Sequence, residues 1–132
     1  MKSIVHVLPA YAALFALFFV VLSVRTLRLR HQLRIAVGDK GDERMLRAMR
    51  VHSNFAEYVP ITLLLLLMVE MQGGSATMIH GYCIALLAGR MAHAYGVSQV
   101  KENFRFRVFG MALTLAILVS SAITLLVDYA RG

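Results

Sequence analysis

Apolar residues fall in four runs separated by short polar stretches: Ile4 to Val24, Phe55 to Val69 with a polar extension before it, Ala76 to Tyr95, and Val108 to Val127. Crossing a hydrocarbon core as helix takes roughly 20 apolar residues. The pattern therefore predicts an all-α, integral membrane four-helix bundle, with helices near residues 4–28, 43–72, 76–96 and 104–129. The first run is longer than a signal-peptide core and is followed by arginines instead of a small-residue cleavage site, which makes it a spanning helix. Without repeats or a linker, residues 1–132 form a single domain.

The connections support this division. "VGDKGDER", Val37 to Arg44, has the glycines and aspartates of a turn, with Asp42 placed to cap the second helix. "MQGGSAT" is an uncharged tight turn, and "GVSQVKEN" separates the last two helices. Pro9 sits near the start of the first helix, where its missing N–H costs little.

With 59% hydrophobic residues and a mean hydropathy of +0.69, the chain is too apolar for a soluble domain of 132 residues. Its net charge of +7 raises nucleic acid as a partner. The charges instead flank the apolar runs: Arg25, Arg28, Arg30, Arg34, Lys40, Arg44, Arg47 and Arg50 surround the first connection, and Lys101, Arg105 and Arg107 the third. That is a membrane-topology signal. The positive-inside rule puts both connections in the cytoplasm and both termini on the other side, with the basic loops held by anionic membrane lipids. No nucleic-acid partner is expected. Cys83 stands alone, without a disulfide or redox partner, and the five histidines lack metal-ligand spacing.

Polar chemistry concentrates in "RVHSNFAEYVP", Arg50 to Pro60. At about 100° per residue, Asn54 lies about 40° from Arg50, Glu57 about 20° the other way and Tyr58 about 80°. Glu43 and Arg47 share that face; His52 and Glu70 point away. Charged residues in membrane helices normally face the bundle interior and pair. Taken alone, this face is explained equally well by an internal clamp, with Glu57 paired to an arginine and Asn54 bonded across helices. The third helix adds Arg90, with His93 three residues on, while Arg105 and Arg107 begin the fourth helix and Arg25 ends the apolar part of the first. One Glu57 does not neutralise so many cations at one membrane level. A missing anionic partner with carboxylates or phosphates follows, since arginine forks bind both in bidentate fashion. Gly81, Ala85 and Gly89 form a small-residue stripe on the third helix, suited to close helix contact.

The core Arg-x-x-x-Asn-x-x-Glu-Tyr-x-Pro of "ERMLRAMRVHSNFAEYVP", supported by "GRMAHAYG" and the four-helix layout, resembles the membrane-associated proteins in eicosanoid and glutathione metabolism, the MAPEG family, and within it the small bacterial branch. The resemblance implies a homotrimer in a bacterial inner membrane, with glutathione as co-substrate, no metal, and a lipophilic small-molecule substrate entering from the bilayer. Arg50, Asn54, Glu57 and Tyr58 match glutathione-holding positions, and Arg90, His93 and Arg25 match further residues of that site. Arg107, with Arg105 as the alternative, matches the arginine that stabilises the thiolate. Where the family has tyrosines on the third helix, this chain has His93 and Val97. The implied activity is a glutathione-dependent transferase or peroxidase; the alternative is a non-catalytic membrane protein that binds a lipid or a glutathione-like ligand. A four-helix exporter fits the length but needs an acidic residue in the first helix, which has none.

Overall fold

The computed structural model describes residues 5–132 as four helices: α1 (Leu8–Leu33), α2 (Glu43–Met71), α3 (Ala76–Ser98) and α4 (Phe104–Arg131). The expected start of the first helix at residue 4 lies outside the described residues. Its C-terminal end lies beyond the expected 28, because arginine, leucine and glutamine continue the helix to Leu33. Arg34, left-handed at φ 54°, then stops it: its amide and that of Ile35 return to the His31 and Arg30 carbonyls. Ile35 buries against Met45 and Ala48 and so folds the basic connection onto α2. The three remaining helices begin at Asp42, Ser75 and Asn103, each of whose side chains accepts from backbone amides of the first turn. The bonds from Arg44 and then Met45 hold the Asp42 carboxyl below its ordinary range. This cap therefore stabilises the fold above the ordinary carboxylate pKa, and its contribution is lost as pH falls through the lowered value.

Neighbouring helices run antiparallel. At one end the start of α1 meets the end of α2, and Tyr11 bonds His80 of α3 at 2.9 Å. At the other end Arg25 of α1 reaches Ser98 of α3, and Arg47 of α2 meets Glu102 just before α4. Helix α2 packs against all three others, and α3 and α4 pack most intimately. Between them Phe15, Phe55, Leu66, Val69, Ile79, Cys83 and Leu86 form the buried core.

Among the described residues three helices are long and apolar enough to cross a membrane: α1, α2 and α4, with mean hydropathies of 2.0, 1.5 and 2.2. The third helix, expected among the spans, falls outside that set because His80, Arg90, His93 and its glycines dilute its apolar run. Arg90 and His93 are turned into the bundle, so lipid does not meet them. The lipid-facing burden falls on residues such as Leu17, Val21, Val119 and Leu126, all exposed on α1 and α4.

Glu70, expected to point away from the polar face of α2, is buried near the C-terminal end of that helix and has a structural role that the helical wheel does not disclose. Val7, which precedes α1, provides no side-chain cap. The buried Glu70 carboxylate instead accepts the amides of His6, Val7 and Leu8 at 2.8, 2.7 and 3.0 Å. Glu70→Ala would orphan these amides, two of them buried, and is expected to destabilise the fold by about 2–4 kcal/mol, read from thermal or denaturant unfolding in detergent. An unchanged midpoint would show that this cap does not hold α1.

Candidate functional site

The end of the bundle that carries the basic connections holds a cavity of about 220 Å³. Arg47, Arg50 and Asn54 line it from α2, His93 and Val97 from α3, Glu102 from the approach to α4 and Arg107 from its first turn, with Glu43 and Leu46 completing the wall. The first three are spaced so that the 3.6-residue period keeps them on one side of α2. The wall is made largely of charged and polar side chains.

Glu102 organises the cation side. Its carboxylate, almost buried, accepts from Arg107 at 2.7 Å and lies 3.6 Å from Arg47, which also donates to the Val97 carbonyl at 3.3 Å. Three arginines and two carboxylates, Glu43 and Glu102, thus share the cavity. Arg90 stands directly behind it, 1% exposed. Its Nη2 donates to Asn54 Oδ1 at 2.7 Å and to His93 Nδ1 at 3.3 Å, a geometry that requires a neutral His93 with its proton on Nε2. The guanidinium carbon lies 5.8 Å from the centroid of the Phe55 ring. Arg90 Nε and Nη1 are buried without a hydrogen-bond partner among the described residues. Each orphaned donor costs about 1–3 kcal/mol, and more when charged. The site therefore has excess positive charge and unspent donors.

Among the sequence-derived candidates, Arg50, Asn54, His93 and Arg107 line the cavity, and Arg90 is joined to it through Asn54 and His93. Glu57 is exposed and makes no ion pair among the described residues; Tyr58 is half-buried, and neither lines the cavity. Of the expected internal clamp, the cross-helix bond of Asn54 is present, with Arg90 as its partner, whereas Glu57 takes no part. Arg105 is exposed outside the cavity. Arg25 lies on the other side of α3, donating to Ser98 Oγ at 2.6 Å. Arg47 and Glu102 are cavity residues that were not among the candidates. Arg47 shares the helical face of Arg50, which was signal enough; Glu102 sits in a connection whose return path the sequence does not reveal. The small-residue stripe divides in the same way: Gly89 packs against Gly110 of α4, and Gly81 faces open space.

The sequence profile described as the MAPEG family matches residues 7–127. The chain belongs to the MAPEG family. It is 43% identical over 104 residues to "Inner membrane protein YecN" of Escherichia coli K12, covering 79% of this chain and 78% of that protein, and to the same extent to the YecN of Escherichia coli O6:H1. Membership makes the chain a membrane protein of the family that serves glutathione and eicosanoid metabolism. Within that family signature, Arg50 and Asn54 are the residues that reach the cavity of this MAPEG chain.

Proposed function

We propose that the chain binds glutathione in the cavity beside Arg50 and Arg107 and activates it as a thiolate for transfer or peroxidase chemistry. The observation that carries this reading is the charge imbalance: Arg47, Arg50 and Arg107 face only two carboxylates, with Arg90 held behind them short of hydrogen-bond acceptors. A tripeptide with two carboxylates supplies the missing negative charge, and bidentate arginine contacts suit its planar groups. The thiolate sulfur then attacks a lipophilic electrophile, forming a C–S bond as the leaving group departs with its electron pair. With a hydroperoxide it attacks the terminal oxygen, the O–O bond breaks, and the alkoxide takes up a proton to become the alcohol. A second glutathione displaces water from the resulting sulfenic acid and leaves the disulfide. Both routes need only glutathione and the lipophilic substrate. In this reading the protein works as a homotrimer of an inner membrane, with its termini on the non-cytoplasmic face, and Glu57, Tyr58 and Arg25 complete the glutathione site from the subunit boundary.

The second reading is a binding protein without turnover. It is favoured by the close pairing of Arg107 with Glu102 and by His93 and Val97, which stand where the family has tyrosines. Calorimetry on detergent-purified protein tests the shared premise. Arg50→Ala is expected to weaken glutathione binding about 10- to 100-fold, the worth of one charge-assisted bidentate contact. No binding heat from the folded parent would exclude both readings that place glutathione here.

A further inference from the structure

We infer that Glu102 is a displaceable latch on the cavity: its carboxylate holds the place on Arg107 and Arg47 that an anionic group of the ligand takes, and the ligand enters by exchanging with it. The latch rests on the reading that the cavity takes an anion, and adds how that anion is admitted.

The two carboxylates of the wall differ in what they touch. Glu43 is exposed and makes no ion pair among the described residues. The Glu102 side chain is only 11% exposed and links two helices, with Oε1 accepting from Arg107 Nη1 at 2.7 Å and Oε2 lying 3.6 Å from Arg47 Nη1. One oxygen toward each of two guanidinium groups is how arginines would hold the carboxylate of a ligand. Arg107 makes no other side-chain hydrogen bond or ion pair among the described residues, and Arg50 makes no ion pair there at all. The cavity therefore carries one arginine free for an anion and two already engaged by the protein's own.

The carboxylate is placed so that it can leave while the arginines stay. Glu102 belongs to the connection between α3 and α4, in which Val100 and Lys101 are exposed. Both ends of that connection are fixed. The Asn103 amide donates to the Gly96 carbonyl at 3.4 Å, and the Asn103 side chain caps α4. Gly96 packs so closely on α4 that a Cβ there would lie 2.8 Å from the Arg107 amide nitrogen. Arg47 keeps its bond to the Val97 carbonyl at 3.3 Å. Release of Glu102 thus needs only rotation of its own side chain or of the exposed residues before it. The Arg107 side chain is 49% exposed, so water meets its guanidinium as the carboxylate departs. A ligand that binds only the unlatched state has its affinity reduced by the fraction of that state. A second anionic group on Arg50, which Glu102 leaves unpaired, offsets the loss, and this favours ligands with two carboxylates.

Calorimetry on detergent-purified protein at fixed ionic strength, with glutarate and glutathione as probes, tests the latch. Glu102→Gln removes the competing charge and is expected to tighten glutarate about tenfold, the worth of one charge-assisted hydrogen bond. Glu102→Asp keeps the charge but draws it back by one methylene, and its affinity should move in the same direction. Parent-like affinity in Glu102→Asp beside a gain in Glu102→Gln would reduce the effect to the diffuse field of a nearby charge. Weaker binding in Glu102→Gln would make Glu102 a brace that positions Arg107. Either result overturns the latch, and so does a failure of every form to bind glutarate. Thermal unfolding is read beside each titration, and if Glu102→Gln does not fold, Glu102→Asp decides alone. Glutarate that tightens in the Glu102 variants while glutathione binds to none keeps the latch and removes the glutathione reading. Glutathione and glutarate that bind parent and variants alike keep that reading and remove the latch.

Discussion

Arg107→Ala is expected to leave glutathione bound but largely protonated. A free thiol has a pKa of about 8.5, and a guanidinium beside the sulfur lowers it by about two units where bound glutathione shields the pair from water, by favouring the charged form. At pH 7 a bound thiol of pKa about 6.5 is mostly thiolate, and one of about 8.5 is about 3% thiolate, a loss of about 25-fold. The sign fixes the pH window. Below about pH 6 both proteins lose thiolate in parallel; between about 6.5 and 8.5 the parent is flat while the variant climbs; above about pH 9 the two converge. Turnover should fall less than the thiolate fraction, because the more basic sulfur of the variant is the better nucleophile, with a Brønsted slope of about 0.4–0.5. The primary measurement is therefore the ultraviolet absorbance of bound thiolate against pH, with the rate of conjugation beside it. In the structure Arg107 is half-exposed and donates to Glu102 at 2.7 Å, so that thiolate and Glu102 compete for one guanidinium. Identical titrations in parent and variant would take the activating role from Arg107, and loss of binding altogether would make it a carboxylate holder.

The level of the site along the membrane normal is readable from the sequence, but the side of each helix that faces it is only partly so. Antiparallel helices of similar length must bring Arg25, Arg50, Arg90 and Arg107 to one end, because each flanks the same pair of connections. Facing is a different matter. Arg50 and Glu57 lie about 20° apart on a helical wheel and both are exposed, yet Arg50 lines the cavity and Glu57 does not. Two turns further along α2, a different part of the bundle crosses it, and a wheel contains no crossings. Arg25 makes the same point, since it is at the right level but on the far side of α3. Arg90 was legible because a lone arginine within an apolar run must be buried or paired. Glu102 and Glu70 were not, because each finds its partners through a connection or a chain end: Glu70 caps residues 62 to 64 positions earlier in the chain.

Gly110→Ala tests what sets the geometry of the whole site, and it is expected to be the most destabilising single-carbon change in the chain. A methyl group at Gly110 would collide with the Gly89 carbonyl oxygen and lie 2.6 Å from the His93 amide nitrogen, both of them helix backbone that has no rotamer with which to yield. The helices must therefore part. Overpacking in a well-packed core costs about 1–3 kcal/mol, and contact with backbone places this substitution at or above the top of that range. The separation also acts on function, because His93 and Arg107 approach the cavity from opposite sides of this contact. The same alanine at Gly81, which belongs to the small-residue stripe but meets nothing within 4 Å, should be neutral or stabilise α3 by up to about 1 kcal/mol. Thermal unfolding in detergent, with and without glutathione, would read both effects: Gly110→Ala should lower the midpoint and lose the rise on adding glutathione, and Gly81→Ala should keep both. Equal midpoints for the two variants would mean that α3 and α4 do not meet at Gly89 and Gly110. A lowered midpoint with the full glutathione response would mean that this contact holds the bundle together without positioning Arg107.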